Sequence, residues 1–147
     1  DNYNARAQIM WAGTLAHNDL CGVGREQDWT SHHIQRRIGA KYDSAHGAGL
    51  ATIFPAWAQY VYKHNVPRFV RFATKVMGVD NDVFHTEEVV LEGIARVKAY
   101  MSSIGLPTTK EELGVKEEDI AELADFHCGG FVPLGPDEIK QIYELAK

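Results

Sequence analysis

The chain has 147 residues, a formal net charge of -5, 45% hydrophobic residues and 24% charged ones. That length suits one ordinary domain, and the composition is that of a folded globule rather than a disordered segment. The acidic balance argues against a nucleic-acid partner, since phosphate binding relies on clustered Lys and Arg, and Arg36-Arg37 is the only adjacent basic pair.

Cys21 and Cys128 are the only cysteines, and neither has a paired metal spacing. They read as reduced thiols in a cytoplasmic protein. No apolar run approaches the length of a membrane span, and no segment has the layout of a signal peptide.

The chain opens on Asp1 rather than Met and runs quickly into a helical pattern. A piece trimmed from a longer protein is the expectation. The first helix is predicted from about Tyr3 to Leu20, with Ile9, Met10, Ala12, Gly13, Ala16 and Leu20 as a small apolar stripe. Gly22 and Gly24 supply its stop. Asp28 is the expected N-cap of a second helix, from Trp29 to about Ile38, which Gly39-Ala40 should break.

His46-Gly47-Ala48-Gly49 opens a third helix, carrying Leu50, Ile53, Phe54, Trp57, Val61 and Tyr62 at helical period. Pro55 should kink it or mark its true start. A short helix follows from Pro67, with Phe69, Val70, Phe72, Ala73 and Val76, and ends at Gly78. Thr86 is placed to cap a long helix over Glu87 to Ser103, buried along Val90, Ile94, Val97 and Met101.

Thr108 with Glu111 fits a capping box before a short helical turn. Lys116 to Phe126 reads as a helix with early acidic residues, as the helix dipole prefers. Gly129-Gly130 is a loop, and Gly135-Pro136-Asp137 starts a last helix with Ile139, Ile142, Tyr143 and Ala146 inward. No stretch alternates as a strand does. The fold class is therefore all-α, a helical bundle of about seven to eight helices with antiparallel neighbours.

Of the seven histidines, His17, His64, His85 and His127 lie near predicted helix ends or loops and read as structural or exposed. His32 and His46 are fourteen residues apart. On one continuous helix that spacing is about 20 Å, too far to share an ion. A break between them lets the first turns of two helices converge, and imidazole suits Fe, Zn, Ni and Cu. Spacing alone is equally met by two ordinary histidines, and His33 rivals His32. Two imidazoles also fall short of a catalytic metal site, which takes three or more protein ligands. Asp43 is a possible carboxylate donor, but the sequence does not aim it.

The ordered run Asp28-Trp29-Thr30-Ser31-His32-His33-Ile34, then Tyr42-Asp43-Ser44-Ala45-His46-Gly47-Ala48-Gly49-Leu50-Ala51, then Phe54-Pro55-Ala56-Trp57 and Tyr60-Val61, resembles the signature of butanol-dehydrogenase-like, iron-containing (group III) alcohol dehydrogenases. The resemblance continues through Gly129-Gly130-Phe131, Leu134 and Ile142-Tyr143, so it covers essentially the whole chain as that family's C-terminal half. It implies the helical domain of a dehydroquinate synthase-like two-domain fold, spanning residues 1–147 here. The N-terminal domain, absent from this chain, would bind NAD(H) or NADP(H).

The same resemblance implies a divalent ion, Fe2+ or sometimes Zn2+, in the cleft between the domains, bound by one aspartate and three histidines. Two of those histidines map onto His32 and His46; the other two ligands precede this segment. The ion would act as a Lewis acid on an aldehyde or alcohol oxygen while hydride moves to or from the nicotinamide. Glycerol-dehydrogenase-like and dehydroquinate-synthase-like enzymes share the architecture, but the Asp28 to Trp57 wording is closer to the butanol-dehydrogenase branch.

One departure is informative. Where the family commonly has a glutamate followed by a second histidine, this chain has Gln35 and Arg36. Arginine stays charged and cannot relay a proton near neutral pH. The glycines at 22, 24, 47 and 49 follow no strand and form no dinucleotide fingerprint. Phe54, Trp57, Tyr60 and Tyr62 read as core, while Trp29 has the better claim to line a pocket.

The expected protein is thus the metal-binding part of an alcohol dehydrogenase or aldehyde reductase, acting on a small alcohol or aldehyde and inactive alone. The parent enzyme is expected to be cytoplasmic and homodimeric, with no nucleic-acid or membrane partner. The alternative is a stand-alone helical binding module with structural histidines or a regulatory metal.

Overall fold

The segment following His46 is rich in small and apolar side chains on nearly every face, which demands burial on several sides. The computed structural model, which describes residues 2–147, places it at the centre of a bundle. Seven α-helices form among the described residues: α1 (Tyr3–His17), α2 (Thr30–Tyr42), α3 (His46–Val61), α4 (Val66–Lys75), α5 (Thr86–Ser103), α6 (Ile120–Leu123) and α7 (Pro136–Leu145). Short 3-10 turns cover Tyr62–Asn65 and Glu117–Asp119. The only pairing of strand type among the described residues is one antiparallel bridge, Cys128 to Leu134. No described helix is long and apolar enough to cross a membrane.

Helix α3 packs on α2, α5 and α7, and Ala51, Thr52, Ile53, Ala56, Ala58 and Val61 are buried there. It runs uninterrupted through Pro55. A proline at that position withdraws one N–H from the ladder. One turn earlier, the Thr52 hydroxyl is bonded to the carbonyls of Ala48 (3.2 Å) and Pro107 (3.1 Å). On α7, Ile139, Ile142 and Tyr143 are fully buried, as the helical spacing predicts. Glu138 accepts the Gly135 N–H at 2.8 Å and so secures the start of that helix.

Helices α4 and α5 meet where side chains vanish. A Cβ added to Gly93 would lie 2.4 Å from the Cβ of Ala73, itself fully buried. Val90, Ile94 and Val97 face inward, with Met101 only half-buried.

Several boundaries differ from the sequence expectations, each for a physical reason. Helix α2 passes through Gly39-Ala40 and ends at Asp43, which takes a left-handed conformation (φ 51°, ψ 34°). An internal glycine costs a helix only about 1 kcal/mol. Against that cost stand Ile34 and Ile38, both fully buried, and anchors at the helix end. Lys41 pairs with Asp119 at 2.8 Å, and Tyr42 bonds the same carboxylate.

The capping box near residue 108 is shifted by one position: Thr109 Oγ1 accepts the Glu112 N–H, and Glu112 accepts the N–H groups of Thr108 and Thr109. Thr86 is the first residue of α5 rather than its cap; Asp82 instead accepts the N–H groups of Phe84 and His85. The segment after Lys116 forms a 3-10 turn and a single α-turn, α6, rather than one long helix. Helix α1 stops at His17 and buries no residue; Ile9, Met10 and Trp11 on it are exposed.

Candidate metal centre

Construction of the site starts at Asp28. One carboxylate oxygen accepts the Thr30 N–H at 2.8 Å and secures the first turn of α2. The other accepts the N–H groups of Gly130 (3.1 Å) and Phe131 (2.8 Å). The N-cap is Trp29 rather than the expected Asp28; the Asp28 side chain bonds the first helical N–H from one residue earlier and also ties the start of α2 to the loop before α7. Gly130 sits so close that a Cβ there would lie 2.8 Å from the Gln27 carbonyl.

His32 occupies this secured first turn, half-buried, and His46 is the first residue of α3. The chain reverses at Asp43 and doubles back beside α2. It passes Gly39 closely enough that a Cβ there would lie 3.6 Å from the Ser44 carbonyl. The reversal at residues 43–45, rather than a break at Gly39, brings the two histidines together. Their ring centroids are 5.2 Å apart with an interplanar angle of 51°.

Two imidazoles aiming a nitrogen at one ion, at about 2.05 Å and a roughly tetrahedral angle, have centroids about 5.2 Å apart. The spacing of this pair therefore fits a shared cation. The second histidine is also oriented: its Nδ1 meets Gln35 Oε1 at 2.5 Å. With Nδ1 as the donor, Nε2 is left with a free lone pair. Burial, helped by the positive charge of His46, Arg36, His17 and His33, holds the His32 pKa below its usual value, which favours the neutral, ligating form.

Trp29 packs edge-on to His32 at 4.8 Å and lines a cleft with His17, Cys21, Gln27 and Asp28 at the end of α1. His17 was read from sequence only as structural or exposed, and no local signal reveals its place here. His33, the rival ligand, turns away and lines a groove with Arg36, Arg37, Phe126 and His127. Arg36 is exposed there. Among the described residues no three His, Cys, Asp or Glu side chains come together as a metal cluster, so Asp43 does not complete the pair. The pair fits a cation as part of a donor set, not as the whole of it.

The remaining candidates resolve as packing. Phe54 contacts Trp57 and Phe72, Trp57 contacts Phe69, and Tyr62 is buried with its hydroxyl on Glu87. Both cysteines are free, and burial pushes the Cys128 thiol up to about 11.

Comparison with known proteins places the chain in a family. Residues 1–146 match the model of the Fe-containing alcohol dehydrogenase family, C-terminal. The chain is 32% identical over 152 residues to NADH-dependent butanol dehydrogenase A of Clostridium acetobutylicum, covering 98% of this chain and 39% of that protein. It is 28% identical over 154 residues to the NADPH-dependent aldehyde reductase YqhD of Escherichia coli, covering 100% of this chain and 39% of that protein.

Among solved structures, NADH-dependent butanol dehydrogenase A from Thermotoga maritima superposes with a TM-score of 0.92 at 36% identity, covering 99% of this chain and 40% of that one. The chain thus spans about two-fifths of the length of the relatives it matches. It belongs to the Fe-containing alcohol dehydrogenase family, to whose C-terminal region it corresponds, and it is butanol-dehydrogenase-like.

Proposed function

We propose that His32 and His46 are two protein ligands of a divalent cation, iron in keeping with the family and with zinc as a substitute. The remaining ligands come from a part of a longer enzyme that this chain does not include. The supporting observation is the 5.2 Å approach of two rings carried by separate helices. When bound, the cation supplies Lewis acidity toward the oxygen of a small alcohol or aldehyde.

The residues of this chain serve that chemistry by holding and shaping. Asp28 fixes the turn that carries His32, and Trp29 forms an apolar wall beside it. Small-molecule sites commonly combine such walls with a few placed polar groups. The hydride carrier, NAD(H) or NADP(H), belongs in this reading to a separate nucleotide-binding domain, as the names of the relatives suggest. The chain alone is then inactive, and the parent enzyme is a cytoplasmic homodimer that reduces aldehydes or oxidises alcohols.

Metal analysis and turnover test the assignment together. In the longer enzyme, His32→Ala and His46→Ala should each lose bound metal and NAD(P)H-dependent butanal reduction. The 147-residue chain should show no turnover. Retention of full metal content by both variants would remove the assignment, and robust turnover by the chain alone would refute its dependence on a second domain.

A further inference from the structure

Gln35 both contacts a candidate ligand and is itself sealed in the core, at 3% exposure. Its position is enforced from two sides. A Cβ on Gly49 would lie 2.4 Å from Gln35 Cγ, and one on Gly39 would lie 3.0 Å from Gln35 Nε2. The absence of side chains at these two glycines opens the slot that the glutamine fills, at the crossing of α2 and α3. Its Oε1 then reaches His46 Nδ1 at 2.5 Å.

An imidazole has one donor and one acceptor nitrogen when neutral, and a fixed acceptor beside one nitrogen selects which is which. An amide oxygen at Nδ1 selects the Nδ1–H tautomer and leaves the Nε2 lone pair for a cation. The reverse amide orientation would present an N–H to Nδ1 and spoil the site, so the choice has a chemical consequence.

We propose that Gln35 is a positioning residue for the metal centre, holding His46 as its Nδ1–H tautomer so that Nε2 is the ligating atom. This rests on the reading of His32 and His46 as ligands. Outer partners of this kind commonly change metal affinity by about 10-fold to 100-fold. An amide does so without charge; a carboxylate at the same place would do so with charge.

Long-range proton–nitrogen NMR of histidine-labelled 147-residue chain, metal-free and at a pH where the rings are neutral, reads the tautomer directly. Wild type should show His46 as Nδ1–H. Gln35→Met, close in volume but without an acceptor, should lose that preference, and Gln35→Glu should restore it. In the longer enzyme, which supplies the remaining donors, zinc should bind at least tenfold more weakly to Gln35→Met than to wild type.

A wild-type His46 in the Nε2–H form, or equal zinc affinity in Gln35→Met, overturns the role of Gln35 while leaving the ligand pair intact. Full zinc binding by the longer enzyme with both His32 and His46 replaced by alanine removes the ligand pair, and the positioning role falls with it. Because the wild-type tautomer is read without any substitution, the proposal stays testable even if Gln35→Met folds poorly.

Discussion

Replacing Asp28 by alanine removes three backbone contacts with one change, and its cost follows from the structure. The first is the bond to the Thr30 N–H at the head of α2. Loss of a side-chain bond to a free N–H at a helix start costs about 1 kcal/mol. The other two are the bonds to Gly130 and Phe131, both partly exposed to solvent. Hydrogen bonds to a charged group are worth about 1.5–3 kcal/mol each when well sheltered; solvent screening here leaves roughly 1–2 kcal/mol for the two together.

The sum is about 2–3 kcal/mol, and a domain of this size loses roughly 2–4 °C in Tm per kcal/mol. Urea unfolding followed by circular dichroism should give that loss for Asp28→Ala and about half of it for Asp28→Asn, which keeps one acceptor. Amide hydrogen exchange adds a local readout, with faster exchange at Gly130 and Phe131. If Asp28→Ala stays within about 0.5 kcal/mol of wild type, the bottom of the range for lost side-chain bonds at a helix start, or the two amides exchange unchanged, then α2 is not tied to the 130–131 loop in this way.

Three further outcomes are expected. Gly93→Ala should destabilise the protein by about 1–2 kcal/mol, overpacking against Ala73 outweighing the gain in helix propensity; Ala73→Gly in the same chain should recover part of it, as thermal melts would show. Cys128, its thiol raised from 9.0 to about 11 by burial, should react at pH 8 with a disulfide reagent about a hundredfold more slowly than an unperturbed thiol. Equal labelling of Cys128 and exposed Cys21 would contradict that.

The third concerns pH. Asp82 raises the His85 pKa and His85 lowers that of Asp82, through a 2.8 Å hydrogen bond between the two side chains. The histidine's contribution is complete below its unfolded value of 6.5 and fades as pH rises through the folded one. That of the aspartate is complete above 3.8 and fades as pH falls through its lowered value. Stability gained from the pair should therefore be greatest between those values, and Asp82→Asn should remove that part of the pH dependence in melts across the range.

What the sequence made legible is what depends on local pattern. The buried face of α7 and the ends of α4 follow from residue spacing, a proline and a glycine. The second helix overran its expected end because its last turn is held by Asp119 and Glu122, some eighty residues away, and no window along the chain contains that contact. The same limit hid Gln35. Its contact with His46 exists only because α3 crosses α2 where two glycines open a slot, a fact about packing rather than pattern. His32 and His46 were singled out by the ordered signature around them; their convergence depends on the reversal at residues 43–45, which spacing leaves open.

Anomalous diffraction from crystals of the longer enzyme grown with Fe2+ or Zn2+ tests the central claim most directly. The account predicts one peak about 2.0–2.1 Å from a ring nitrogen of both His32 and His46, the usual range for imidazole ligands of zinc. A fully occupied metal peak bound elsewhere, with neither ring within reach, would contradict it.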